Sequence, residues 1–282
     1  MKLTILGSGG CAVIPKPLCG CAVCLEARDK GGTYRRTGPS AFIHDENILI
    51  DTPAETACQL NRCRIQKIDY LLFTHLDPDH TEGFRVVEQI ALDFRTWKSY
   101  DAKGIRLVLP QQLHERIGRI QSVYGPLVDF FEDQGFVERH CFRNETQIGG
   151  TRVTAFEVDR GDQVSFIYVF ERDGKKLVYA PCDIKPFPEN NTRIRNADLL
   201  VIQPGIFETG LSQGFEYPEN HISRTTLYTF EETLALAAGI CAKQTVFVHL
   251  EEYWNRSYDD YVKLENRLDR VRFAYDGMCV EV

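Results

Sequence analysis

Four residues that can ligate a metal ion fall within six positions, in the run Thr74-His75-Leu76-Asp77-Pro78-Asp79-His80. It directly follows the apolar stretch Ile68-Asp69-Tyr70-Leu71-Leu72-Phe73. In extended backbone His75 and Asp77 point the same way, and Asp79 and His80 lie where the chain turns toward an amphipathic segment, so the four converge on one or two ions. Pro78 stiffens that turn. The competing reading is a solvated acidic loop with two incidental histidines.

A second group is the C-x-C-x2-C cluster of Cys19, Cys21 and Cys24, three of ten cysteines in 282 residues. Three thiolates on one short loop suit a tetrahedral structural zinc that takes its fourth ligand from elsewhere. The other seven are scattered and read as mostly small buried apolar residues in a reducing cytosol.

These side chains need strands to hold them. Strand-like runs recur at 3–6, 41–44, 48–51, 68–73, 105–109, 151–156, 165–171, 176–179, 198–202 and 245–249. Helical patterns occupy 81–93 and 110–124, and two later helices carry capping boxes, Thr229 with Glu232 and Ser257 with Asp260. Gly239 is placed as the C-terminal cap of the first of these. Strand pairs mixed with strand-helix units predict two packed sheets with helices outside, an α/β or α+β sandwich forming one domain over 1–282. Two of the predicted strands end in further ligands, Asp183 after the run at 177–182 and His249 after Thr245-Val246-Phe247-Val248. Asp51 ends a third and is placed to orient a ligand from behind.

A formal charge of −7 argues against an extended nucleic-acid surface and leaves a small anionic substrate open. No apolar run reaches membrane-spanning length and the N-terminal stretch reads as a strand, which points to a cytoplasmic protein.

The order of Leu6-Gly7-Ser8-Gly9-Gly10, Leu49-Ile50-Asp51, the 74–80 motif, Asp183 and Val248-His249 resembles the metallo-β-lactamase superfamily. Cys19-Gly20-Cys21-Ala22-Val23-Cys24 with Tyr34-Arg35-Arg36, then Glu219-Asn220-His221, then Tyr275-Asp276-Gly277-Met278, resemble the PhnP-type cyclic phosphodiesterases within it. The resemblance runs nearly end to end. It implies a four-layer αββα sandwich and hydrolysis of a small cyclic phosphodiester, such as phosphoribosyl cyclic phosphate, by one or two divalent ions (Mn, Zn or Fe). It also implies a structural zinc held by Cys19, Cys21, Cys24 and His221. A homodimer is left open.

The chain departs from that family at two places. Asp77 stands for a histidine, which hardens the ligand set, and the family's next histidine is missing from Glu157-Val158-Asp159-Arg160-Gly161-Asp162. Arg160 cannot ligate a cation. The subsite of His75, Asp77 and Asp183 is therefore damaged or rebuilt, with Asp159 or Asp162 as substitutes, whereas Asp79, His80, Asp183 and His249 form an intact one. Arg160 reads equally as a phosphate clamp or as a plain ion-pair partner, and Asp79 or Asp183 as the proton acceptor. Two rivals follow from these departures: a non-haem iron enzyme of oxygen or redox chemistry, and a non-catalytic member that binds a ligand.

Overall fold

The computed structural model describes residues 1–100 and 104–282. Two seven-stranded sheets carry the fold. The first runs, edge to edge, Val137–Phe142, Ile105–Pro110, Tyr70–Leu72, Ile48–Ile50, Ser40–Ile43, Lys2–Gly7, Met278–Glu281. The second runs Glu145–Ile148, Thr151–Asp159, Val164–Arg172, Lys175–Ala180, Leu199–Ile202, Thr245–Phe247, Val271–Phe273. Their facing side chains, among them Leu3, Ile50, Leu72, Phe166, Tyr168, Tyr179, Val201 and Val246, make one buried core. A second core lies on the far side of the second sheet, where Phe247 and Phe273 meet Phe230 and Leu236 of the helix Phe230–Ile240 and Tyr261 of the helix Tyr258–Glu265. This is the metallo-β-lactamase sandwich.

What matters for chemistry is which strand ends share an edge. Ile48–Ile50 and Tyr70–Leu72 are parallel, so Asp51 and Thr74-His75 leave the first sheet on the same side. Lys175–Ala180, Leu199–Ile202 and Thr245–Phe247 are also parallel, and bring Cys182-Asp183, Gln203 and His249 out together. Loops beyond the C-terminal ends of parallel strands are where such sheets place ligands. Two bonds lock the edges to each other: the Phe166 amide donates to the Thr74 carbonyl (2.8 Å) and the Leu250 amide to the Ser8 carbonyl (2.9 Å).

Several local expectations are corrected. Gly239 lies inside its helix, and the cap is Cys241 in the left-handed region (φ 59°). The 81–93 segment is a short helix Pro78–Thr81 begun by Pro78, a 3-10 turn and a helix Val86–Ala91, ending in a strand pair. The break sits at Gly83, whose amide bonds the Thr52 carbonyl and where a Cβ would meet the Pro53 carbonyl oxygen at 2.0 Å, so tertiary contact overrides helical pattern. The 110–124 segment likewise ends its helix at Arg116. Strands 137–142 and 145–148 escaped sequence reading because they border their sheets and carry mostly polar side chains, Val-Glu-Arg-His-Cys-Phe and Glu-Thr-Gln-Ile.

Tyr168, fully buried in the inner core, donates its hydroxyl to the Phe73 carbonyl at 2.7 Å, just ahead of the ligand loop. Tyr168→Phe leaves that carbonyl unpaired, and urea unfolding is expected to show a loss of about 1–3 kcal/mol. An unchanged midpoint would show that the bond contributes nothing.

Candidate metal centre

Three imidazoles meet between the sheets, each held from behind. His80 donates from Nδ1 to Asp51 Oδ2 (2.9 Å), and Asp51 also accepts the Thr74 amide (2.7 Å) and hydroxyl (2.8 Å). His75 Nδ1 lies 3.0 Å from the Thr74 hydroxyl, and His249 Nδ1 lies 3.1 Å from Glu251 Oε1. These partners assign the proton to Nδ1 and turn each Nε2 inward. His80 and His249 face each other Nε2 to Nε2 at 3.4 Å. The Cys182 thiol sits 3.4 Å from His80 Nε2 and 3.7 Å from His75 Nε2.

Carboxylates form the outer side. Asp79 Oδ2 lies 3.4 Å from His249 Nε2 and 3.5 Å from His80 Nε2, while Asp77 Oδ2 lies 3.6 Å and Asp183 Oδ2 4.0 Å from His75 Nε2. Three overlapping sets result: His75, His80 and Cys182; Asp79, His80 and His249; His75, Asp77 and Asp183. Such inward-facing nitrogen, oxygen and sulfur donors fit a divalent ion. The third set is not free, because the Arg160 guanidinium reaches into it, with Nη2 3.1 Å from Asp183 and Nη1 3.4 Å from Asp77 and 3.3 Å from the Ser165 hydroxyl. Asp159 and Asp162, the expected substitutes, join none of the sets found among the described residues. Asp159 accepts the Gly161 amide within the hairpin that carries Arg160.

The electrostatics differ from donor to donor. Burial holds the imidazoles of His75 and His80 neutral, down to about 3 and about 4, so both offer lone pairs at neutral pH. Burial pushes the Asp51 carboxyl up to about 7, against the opposing pull of His75 and the Thr74 bonds. Burial also works against ionisation of Asp79, yet the bond with His249 and the nearby His80 hold it well below the usual carboxylate range. Burial opposes charge on His249 too, but Cys182, Asp79 and Glu251 outweigh it and raise its proton affinity. Burial keeps the Cys182 thiol protonated well past its ordinary value.

Three residues of the centre carry backbone strain. Asp51 (φ 60°), Asp183 (φ 52°) and His249 (φ 57°), each just past its strand, all adopt the left-handed conformation that non-glycine residues avoid. Glu251 approaches so closely that a Cβ on Gly10 would lie 2.1 Å from its Oε1.

The cysteine cluster forms a separate group. Cys21 caps the helix Ala22–Lys30, so Cys24 lies in its first turn rather than on a flexible loop. Amides of Lys16, Cys21 and Cys24 donate to the sulfurs of Cys24, Cys19 and Cys21 at 3.3–3.4 Å, an arrangement suited to thiolates. The fourth donor is Glu252, whose Oε1 lies 3.2 Å from Cys21 Sγ and 3.6 Å from Cys19 Sγ. His221 instead accepts the Ser223 amide at Nδ1 and packs its ring against Tyr217 and Phe215. Sequence reading missed Cys182, Glu251 and Glu252. The available signal was the Glu pair two residues beyond His249.

Chelation at this cluster follows from the donor set. Zinc content is expected to fall by about one ion per chain in Cys21→Ser and Glu252→Ala, each with a lowered melting temperature, and to stay constant in His221→Ala. Loss in His221→Ala alone would restore the histidine as ligand. Burial pushes the Cys21 thiol up to about 12, so ion uptake must release protons and affinity must fall as pH falls.

The fold has counterparts of known structure. A diphosphatase of the PhnP family superposes with TM-score 0.74 at 22% identity, covering 100% of this chain and 97% of that one. Zn(2+)-bound PqqB from Methylobacterium extorquens gives TM-score 0.74 at 19% identity over 100% of both chains, and human tRNase Z, short form, 0.65 at 17% over 100% and 99%. At these identities the likeness speaks for the fold alone. No curated protein matches. The family model for the beta-lactamase superfamily domain matches residues 46–250, most of the chain and all of the strand-end ligands, and the protein belongs to that superfamily.

Proposed function

We propose that the protein is a metal-dependent hydrolase of a small phosphodiester, with one divalent ion in a centre built from Asp79, His80 and His249 and with Arg160 standing where a second ion would bind. The carrying observation is the placement of the guanidinium against Asp77 and Asp183, with its side chain only 14% exposed. Three carboxylates at the rim, Asp77, Asp79 and Asp183, outnumber the one guanidinium, and the excess negative charge favours a divalent cation. When bound there, such an ion draws charge from a phosphoryl oxygen and brings the pKa of a water near neutrality.

The chain's own groups supply the rest. The buried Nε–H of the Arg160 guanidinium has no partner, a donor that an entering phosphoryl oxygen satisfies. Asp79, held well below the usual carboxylate range, is a poor proton acceptor near neutral pH and acts as ligand. Asp183 is then the proton acceptor, close to Arg160 and His75 and bonded to neither by more than one oxygen. A cleft of about 220 Å³ opens beside Asp77, lined by Leu76, Leu113, Ile120, Arg116 and Arg119. Its size and the paired arginines suit a small anionic molecule.

Hydrolysis of bis-p-nitrophenyl phosphate, measured with zinc, manganese and iron in turn beside metal stoichiometry, tests the reading. The wild-type protein is expected to turn over with at least one of them, and no turnover with any would sink the proposal. In Arg160→Gln, kcat is expected to fall about 10²–10³-fold, as when one charge-stabilising donor is lost. The same variant is expected to take up an additional ion, because Asp77 and Asp183 lose their counter-charge.

A further inference from the structure

We infer that Cys182 is a metal ligand of the active centre, making it a mixed imidazole–thiolate site. This inference rests on the reading that the centre holds a divalent ion, and it adds a donor that neither the 74–80 motif nor the strand-end carboxylates contain. The spacing is the first support. Zinc binds nitrogen at about 2.0–2.1 Å and sulfur at about 2.3 Å, so two ligands at a tetrahedral angle stand about 3.3 Å apart for nitrogen pairs and about 3.6 Å for a nitrogen–sulfur pair. Cys182 Sγ lies 3.4 Å from His80 Nε2 and 3.7 Å from His75 Nε2, and the His80 and His249 Nε2 atoms are 3.4 Å apart. The two sulfur distances are those of donors around a common point, and His75, His80 and Cys182 form one set of mutually close donors that shares His80 with the set of Asp79 and His249.

Direction is the second support. Each neighbouring imidazole spends its Nδ1 on a fixed partner, so the nitrogens facing the sulfur are the free Nε2 positions. A buried thiol serving only as core packing has no need of two lone pairs aimed at it, and Cys182 is 4% exposed among polar neighbours. Charge is the third. A thiolate is costly in a buried site without a cation, and the divalent ion that His80 helps to hold supplies one. The chemical consequence concerns metal choice. Asp77 hardens the site on paper, but it is engaged by Arg160, whereas a thiolate between two imidazoles softens the part of the centre left open and favours zinc or cadmium over manganese or magnesium.

Cadmium-113 NMR of the metal-exchanged full-length protein separates the two sites, because each thiolate ligand moves the resonance downfield. The wild type is expected to show two signals, a far-downfield one from the cysteine cluster, which Cys21→Ser alters, and a less shifted one from the centre, which His80→Ala removes. In Cys182→Ser and Cys182→Ala the centre signal is expected to move upfield or vanish while the cluster signal stays, and the retained cluster signal doubles as a check on folding. Cys182→Asp is expected to return a centre signal upfield of the wild type and to raise the preference for manganese over zinc. A centre signal unmoved in Cys182→Ser and Cys182→Ala overturns the thiolate assignment and leaves the metal centre standing. A wild type with the cluster signal alone overturns the metal centre itself.

Discussion

Asp51, sealed from solvent, receives the Nδ1 proton of His80 and both donors of Thr74, and Thr74 in turn holds His75. Everything at the centre depends on this buried carboxyl. It fixes two of the three imidazoles in one tautomer, and its own burial, which drives it up to about 7, is tolerable because three hydrogen bonds converge on it. Glu251 does the corresponding service for His249, reaching it only because Gly10 has no side chain in the way. The ligands are thus pre-aimed by acids that never touch the reacting groups.

The same segment that holds His249 also ties the two sites together. From His249 the chain passes through Leu250, whose amide clamps the Ser8 carbonyl, to Glu251 at the centre and Glu252 at the cysteine cluster. An ion bound at the cluster would fix Glu252 against the helix Ala22–Lys30, and the adjacent Glu251 would then be constrained against His249. A structural site placed one residue from a ligand-orienting one gives the N-terminal loop a reason to be stapled where it is.

Much of this was legible in the sequence because strand-end ligands follow apolar runs. Asp51, His75, Asp183 and His249 were all found that way, and their strands pair as the sandwich requires. The sheet borders were not: 137–142 and 145–148 carry polar residues and lack the apolar signal, and 271–273 and 278–281 are too short to give one. Cys182 was hidden for a different reason. A buried cysteine is usually a small apolar residue, and only the approach of two Nε2 atoms, which comes from residues about a hundred positions away, distinguishes a ligand. Glu252 was hidden because no local spacing connects it to a cluster 228 to 233 residues earlier in the chain, and the family pattern drew attention to His221 instead.

The two departures from the family motif make sense together. A histidine at position 77 and another near 160 would put neutral donors around a second ion, whereas a carboxylate and a guanidinium are already mutually neutralising, at 3.4 Å and partly shielded from water. Replacing Asp77 alone would leave Arg160 paired with Asp183, whereas replacing Arg160 alone would leave two carboxylates beside the His75 imidazole without their counter-charge. A guanidinium holds its charge without exchange, needs no metal supply and presents a planar fork to phosphate, but it cannot polarise a bound oxygen as strongly as an ion does. On the proposed reading the guanidinium makes a fixed positive wall on one side of the centre, and the activation of water would fall to an ion on the imidazole side.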